Sequence, residues 1–366
     1  MKKILSTALV TAMFASMAPL AGVFADAAPD YTSIDSVEEY VEFAKAVDAG
    51  TYTNNADHKV NVDLDFTGYN AEDVVITNQV RDLQLDFQGH TVSGLIREVT
   101  LTDHGNVGLL IDNAPNYVEI LNVKIKDCKL VVNCPTNDKG YNPWAMVGGV
   151  IGRADRAYVN NVDFENVTIE LNGPGAVGLA YGEKTWQDWR GPDIAIATKN
   201  VVVNATDADA KVGLVIGRMG DVDGDTISIT KLDITNTTIN STNEVTATTY
   251  AGANDATHIS LKEGVTANFA LVDNATGYVC PHTNTKVENA KEATETEDGY
   301  TGDKICEDCG ETVESGTTIP KSEPNPGTNE ENPPKTGDAI TVMIAISAVA
   351  MAAIALAVSK KRSYQN

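Results

Sequence analysis

Positive charge is scarce in this 366-residue chain: Lys and Arg total 27 against 51 Asp and Glu, a formal net charge of −24. Binding a phosphate backbone needs a basic face, so the deficit argues against nucleic acid as a partner. Aromatic residues are few, 6% of the chain, and the three tryptophans fall in two short stretches. The sequence carries no serine or cysteine nucleophile motif and no phosphate-cradling glycine loop. Apolar residues are not lacking. At 42% hydrophobic against 21% charged, the chain can bury a core and does not have a disordered composition.

Charge is absent altogether from two stretches. The first, Ile4 to Phe24, follows Lys2 and Lys3 and ends at the small residues Val23 and Ala25. This is the pattern of a secretory signal over residues 1–25, cut after Ala25, with a cut after Ala27 as the alternative. The second, residues 339–358, is 20 residues long and is followed by Lys360, Lys361 and Arg362. At 1.5 Å per residue it spans ~30 Å, the hydrocarbon thickness, with residues 359–366 as a basic cytoplasmic tail. Immediately before it stand Pro333, Pro334, Lys335, Thr336 and Gly337, preceded by a proline-rich polar linker over residues 321–335. The ordered set resembles the cell-wall sorting signal of Gram-positive surface proteins, in which the pentapeptide is Leu-Pro-any-Thr-Gly; here Pro333 takes the Leu position. The resemblance implies cleavage by sortase at the Thr336–Gly337 bond and transfer of Thr336 to peptidoglycan. A plain single-span membrane protein is the other reading.

Between these ends the sequence repeats. The stretches from Asn122, Asn161 and Lys231 carry apolar residues in one frame. The inward sets are Val123, Ile125, Cys128, Leu130; Val162, Phe164, Val167, Ile169; and Leu232, Ile234, Thr237, Ile239. The spacing i, i+2, i+5, i+7 is a strand period of 2 broken once, so a helical repeat is excluded. Keeping both halves buried on one side requires a corner between i+2 and i+5. Asp127, Asn166 and Asn236 stand at i+4, and Asn and Asp tolerate the left-handed backbone that such a corner needs. Gly68 and Gly89 supply the corner in earlier copies, and a degenerate copy begins at Val201. A second motif alternates with the first: VGLLID from Val107, VGGVIG from Val147, VGLAYG from Val177 and VGLVIG from Val212. Its glycines suit close approach of stacked backbones at a bend.

The expected fold is therefore all-β: a parallel β-helix solenoid over residues 51–275, with a β-sandwich as the rival. Coils of about 20 residues would give about ten coils, Asn ladders between them and a rod of roughly 45–50 Å. Ser36 and Glu39 form a capping box and Gly50 a stop, so residues 33–50 are expected to supply a helix covering the first coil with Val37, Tyr40, Val41, Ala44 and Val47. The helix, the NVDLDFTG strand and the VGGVIG-type motifs resemble right-handed parallel β-helix domains of bacterial surface proteins, the glycine motif being similar to their Gly-Leu-any-Gly repeat. That resemblance implies fold rather than activity.

Three of the five cysteines come late, as Cys280-Pro281-His282 and Cys306-x-x-Cys309. This spacing offers four ligands for a structural zinc, Cys280, His282, Cys306 and Cys309; a Cys306–Cys309 disulfide is the alternative. Residues 276–320 resemble a small Cys/His module repeated in Gram-positive surface proteins, with Glu295 where a further Cys stands in that module. Cys128 falls on an inward position, which favours core packing. Asp221, Asp223 and Asp225 make the best acidic cluster, but Gly224 falls too early for a calcium loop, and a solvated turn accounts for it. Arg153 and Arg218 follow two glycine motifs at matching places, which points to stacking. Trp144, Trp186 and Trp189 lie in loops beside glycine motifs, where rings either cover coil ends or stack on a ligand.

The functional expectation is a non-enzymatic, cell-wall-anchored adhesin or ligand-binding protein. Its partners would be sortase, peptidoglycan and a host or polysaccharide ligand. A polysaccharide lyase or glycoside hydrolase on the same scaffold is the alternative, and a plain spacer is a third reading.

Overall fold

The computed structural model describes residues 31–52, 56–185, 193–220, 227–254, 258–307 and 310–321. The signal segment with Ala25, the pair Trp186 and Trp189, Asp221 to Asp225, Cys309, nearly all of the linker, the pentapeptide, the span 339–358 and the tail lie outside them. Among the described residues no helix is long and apolar enough to cross a membrane.

The described chain is a parallel β-solenoid of about five turns, with few helices. Its longest sheet runs in the order Ser33–Ile34, Asp57–Val60, Leu83–Asp86, Val118–Asn133, Ala157–Asn172, Asp193–Ala205, Ile227–Ser241 and Ile259–Leu261. Consecutive members pair in parallel, so the β-sandwich rival is excluded. Two narrower parallel sheets complete each coil. One includes Gly105–Gly108, Ala145–Gly148, Gly175–Gly178 and Ala210–Gly213; the other includes Ile111–Ala114, Ile151–Ala154, Tyr181–Lys184 and Ile216–Met219.

The register of the long sheet is the frame read from the sequence. Val123 faces Val162, Ile125 faces Phe164, Cys128 faces Val167 and Leu130 faces Ile169, all buried. At roughly 1.5–3 kcal/mol for each such side chain, these stacked rows supply most of the cohesion. The frame of the next strand begins at Ile196, not at Val201: Ile196 pairs with Val162 and Val201 with Val167. It was hidden because the polar Thr198 occupies an inward position. Its hydroxyl lies 2.9 Å from that of Thr237 on the next coil, so the buried pair satisfies itself.

The corners behave as their residue types require. Asp127, Asn166, Asn200 and Asn236 all have left-handed φ, between 42° and 55°. Their side chains form a ladder: Asn166 donates to Asp127 at 2.5 Å, Asn200 to Asn166 at 3.0 Å, and Asn236 to Asn200 at 3.5 Å. A second corner precedes it, with Asn122 and Asn161 at φ 54° and 56° and 2.9 Å apart in the same donor-to-acceptor sense. Gly89 serves this second corner, its N–H donating to Asn122 O, whereas Gly94 donates to Asp127 O.

The coil is longer than expected. Ladder partners are 34 to 39 residues apart, so the strand frame and the glycine motif are two sides of one coil rather than successive coils of about 20. Five coils at ~4.8 Å make roughly 24 Å, half the expected length. The glycines mark close backbone approach: a Cβ on Gly148 would sit 1.8 Å from Ile151 O, and one on Gly178 2.3 Å from Tyr181 O.

The helix Val37–Asp48 forms as its signals dictate. Ser36 Oγ accepts from Glu39 N at 3.2 Å, and Glu39 Oε2 reaches back one residue further than in the usual box, to Asp35 N at 2.6 Å. Gly50 follows at φ 67°. Tyr40, Phe43, Ala44 and Val47 are buried, and the Tyr40 ring lies 5.3 Å from Phe66 and 6.3 Å from Phe87. The Asp48 carboxylate accepts from Thr77 N and Asn78 N, both at 2.9 Å, which pins the helix to the first coil.

Contacts divide the chain into two compact units. One runs to Lys286 and includes Lys304–Glu314; the other holds Val287–Asp303 and the residues from Ser315. Residues 276–320 thus contribute to both. In the second unit Gly299–Tyr300 pairs antiparallel with Thr318–Ile319, and Asp303 Oδ1 accepts from Gly316 N at 3.0 Å.

Candidate functional site

Three late cysteine and histidine ligands come together in the solenoid's own unit. Pro281 separates Cys280 from His282, and His282 takes a left-handed φ of 50°, which folds the short segment back on itself. Cys306 ends the strand Asp303–Cys306. Gly310 N donates to Cys306 O and Cys306 N to Glu311 O, both at 2.8 Å. Ile305 then pairs antiparallel with Thr312. Glu307 N donates to Asn284 O at 2.9 Å and ties the two segments together.

The ligand atoms of Cys280, His282 and Cys306 all lie within 4.8 Å of one another, close enough to hold a metal ion. The Cys280 and Cys306 sulfurs are 3.5 Å apart. That is far beyond the ~2.05 Å of a disulfide and near the ~3.8 Å that two thiolates at ~2.3 Å from a tetrahedral ion would adopt. Glu311 Oε2 lies 3.6 Å from His282 Nε2, an ion-pair separation longer than a hydrogen bond. The set is therefore three of the four residues expected from the sequence; the fourth, Cys309, is outside the described residues. Cys128 and Cys134 are buried elsewhere, and burial pushes the Cys128 thiol up to about 12. Both are core residues rather than ligands.

The segment leading into this centre lies on the long sheet. Ala275 N donates to Thr238 Oγ1 at 3.0 Å, Thr276 N to Asn200 Oδ1 at 3.1 Å and Tyr278 N to Thr168 Oγ1 at 2.8 Å. It therefore crosses three successive coils. Gly277 has φ 60°, and a Cβ there would stand 2.2 Å from Thr168 Oγ1.

A cleft of about 920 Å³ opens beside this segment. Thr67 to Glu72 and Ile96 to Thr100 form its solenoid side, and Tyr278, Asn284 and Glu307 its other side. At its base Arg97 is buried in the inward register, opposite Leu130. Its guanidinium is bidentate to Asp112, at 2.6 and 2.8 Å, and Asp112 also accepts from Gly108 N at 3.0 Å. Nothing in the local sequence marks this pair. Arg97 emerges as inward only once Ile96 is set against Lys129.

Trp144 is half-buried, with the Arg218 guanidinium 5.8 Å from its ring centre, and it borders a smaller cavity of about 390 Å³ with His104, Asn106 and Met146. Its backbone N donates to His104 Nδ1 at 2.7 Å, which fixes it at the start of its strand. Arg153 and Arg218 do form a stack. Each pairs in register with Glu183, and Arg218 Nη1 donates to Glu183 Oε1 at 2.7 Å. Arg153 Nε is 3.3 Å from Glu183 Oε2 without a hydrogen bond.

No protein-family model, curated protein or solved structure matches this chain.

Proposed function

We propose that the chain is a non-enzymatic surface protein of a Gram-positive bacterium, joined by sortase through Thr336 to peptidoglycan, whose solenoid presents a ligand-binding surface. One observation carries the choice of binding over hydrolysis, the outward wall of the long sheet. Several of its carboxylates are met by lysines from other coils: Glu170 by Lys129 at 3.3 Å and Glu165 by both Lys124 and Lys199 from adjacent strands, and Asp163 by Lys231 at 3.0 Å from two strands away. Carboxylates neutralised across coils are poorly placed to gather calcium or to act as an acid and base pair on a sugar. The winding is taken as right-handed, the sense that parallel crossovers follow.

The wall attachment rests on the order of sequence signals: the charge-free start ending at Ala25, then Pro333 to Gly337, the span 339–358 and the basic tail. Zinc is the ion assigned to Cys280, His282 and Cys306, with Cys309 completing the shell, because three thiolates and an imidazole suit a closed structural site.

Expression in a Gram-positive host tests the attachment. Wall-lytic digestion is expected to release a chain ending at Thr336 and carrying a peptidoglycan fragment, and Thr336→Ala is expected to leave it in the membrane fraction. An uncut wild-type chain in the membrane would refute the attachment. Metal analysis of the purified chain is expected to find zinc, lost in Cys306→Ser; a metal-free chain with a Cys306–Cys309 disulfide would remove the zinc assignment.

A further inference from the structure

We propose that the 920 Å³ cleft is a binding site for an uncharged oligosaccharide, and that the metal centre holds one of its walls. This deepens the ligand-display reading and rests on it only for the premise that the solenoid binds a ligand.

The chemistry of the lining selects the ligand. Tyr69 is 37% exposed, and its ring is fixed edge-on against Phe66, with centroids 6.0 Å apart at 76°. Its hydroxyl reaches Glu38 at 3.3 Å. With Tyr278 on the opposite side, the cleft offers two aromatic side chains among polar ones, the combination that takes the C–H face of a sugar ring. Thr67 and Thr77 donate their hydroxyls inward, to Asp65 at 2.7 Å and Asp48 at 2.9 Å, so their lone pairs remain to accept. Asn70 and Asn284 carry amides, which donate as well as accept. Two-way hydrogen bonding of this kind matches sugar hydroxyls.

Charge excludes the polyanions. Among the described residues lining the cleft Arg97 is the only cation, and Asp112 already neutralises it through both oxygens. Glu72, Glu98 and Glu307 add negative charge. A sulfated, phosphorylated or uronic-acid chain would be repelled. A lysine-rich peptide would be drawn to the carboxylates, but its ammonium groups have no use for the two tyrosine faces as sugar-stacking surfaces, and it is the competing ligand of the test. The volume sits near the top of the ~300–1,000 Å³ range of ligand clefts, room for more than one ring.

The metal enters through connectivity. Asn284 lies two residues beyond His282, and Glu307 directly follows Cys306. The Glu307 N to Asn284 O bond joins them at 2.9 Å. An ion bound by Cys280, His282 and Cys306 therefore fixes both residues of that wall. Losing it would free the wall while leaving the solenoid's own ladders intact.

The test is calorimetry on the full zinc-loaded chain with cellotetraose, maltotetraose and N-acetylchitotetraose, using decalysine as the cationic competitor. At least one tetrasaccharide is expected to bind. Tyr69→Ala is expected to weaken it roughly tenfold or more while the chain stays folded with at most a small drop in thermal midpoint from the lost Phe66 contact, and Tyr69→Phe to retain it. Chelation of the metal is expected to weaken binding while the β-sheet circular dichroism stays the same. Binding of decalysine alone, binding of no tetrasaccharide, or wild-type affinity in Tyr69→Ala would overturn the site. Undiminished affinity after chelation would overturn the metal's part in it. Wall fractionation is indifferent to Tyr69, so failure of the cleft and failure of the display reading are told apart.

Discussion

Replacing Asn200 by alanine probes the ladder that holds successive coils in register. Asn200 sits at φ 55°, where a residue with a Cβ and no compensating polar group loses about 1 kcal/mol. Its amide donates to Asn166 at 3.0 Å and accepts from Thr276 N and Thr276 Oγ1, both at 3.1 Å. These three hydrogen bonds, the one to Asn166 partly buried and the two from Thr276 exposed, at about 1 kcal/mol each at most bring the expected cost of N200A to about 4 kcal/mol as an upper figure. Glycine at the same place loses the bonds and keeps the dihedral, so N200G should cost about 3 kcal/mol. Asn236 makes one 3.5 Å bond in the ladder and is exposed, which puts N236A nearer 1–2 kcal/mol. Urea unfolding followed by circular dichroism, with midpoints compared at a common slope, reads all three. Equal midpoints for N200A and N200G, or a smaller loss for N200A than for N236A, would refute the reasoning that the corner needs both the left-handed backbone and the side-chain bonds.

Other substitutions separate the remaining effects. Gly148→Ala, with its Cβ 1.8 Å from Ile151 O, should cost the upper end of about 1–3 kcal/mol or more; Gly140→Ala, at φ 81° with nothing within 4 Å, should cost only about 1, and thermal melts would rank them. Tyr40→Phe should be neutral or stabilise by up to about 1 kcal/mol, since the Tyr40 hydroxyl is buried without a hydrogen-bond partner; a clear loss in a urea melt would indicate a bound water there. Arg97→Leu should cost about 3–5 kcal/mol by stranding Asp112, and adding Asp112→Leu should restore much of it, measured as a double-mutant cycle. The hydrogen bond from Lys124 holds Glu165 below its usual 4.5, so this part of stability is present above that pH and lost as pH falls through the lower folded value; Glu165→Gln should flatten the decline of the melting temperature between about pH 5 and pH 3.

Much of the solenoid was legible from local chemistry. The step of three between Ile125 and Cys128, with Asp127 inside it, demanded a corner, and the structure puts a left-handed residue there. The capping pair Ser36 and Glu39 placed the helix. Coil length was not legible, because strand frame and glycine motif look alike as repeats whether they succeed one another or face one another. The frame at Ile196 was obscured by Thr198, whose polarity only its partner Thr237 explains. At the metal centre, residue type and spacing picked out Cys280, His282 and Cys306, but not Glu311 or the bond from Glu307 to Asn284.

The sequence by itself determined the period of the strands, the chemistry of the corners, the cap and the donor types of the late cysteine and histidine segment. These depend on neighbours within a few residues, where backbone preference and spacing act directly. Tertiary structure alone decided the coil length, the pairing of Arg97 with Asp112, the lysine–carboxylate rows across coils and the cleft shared by Tyr69 and Asn284. Each of these joins residues brought together by the stacking of whole coils or by chain return, a distance over which no local preference carries.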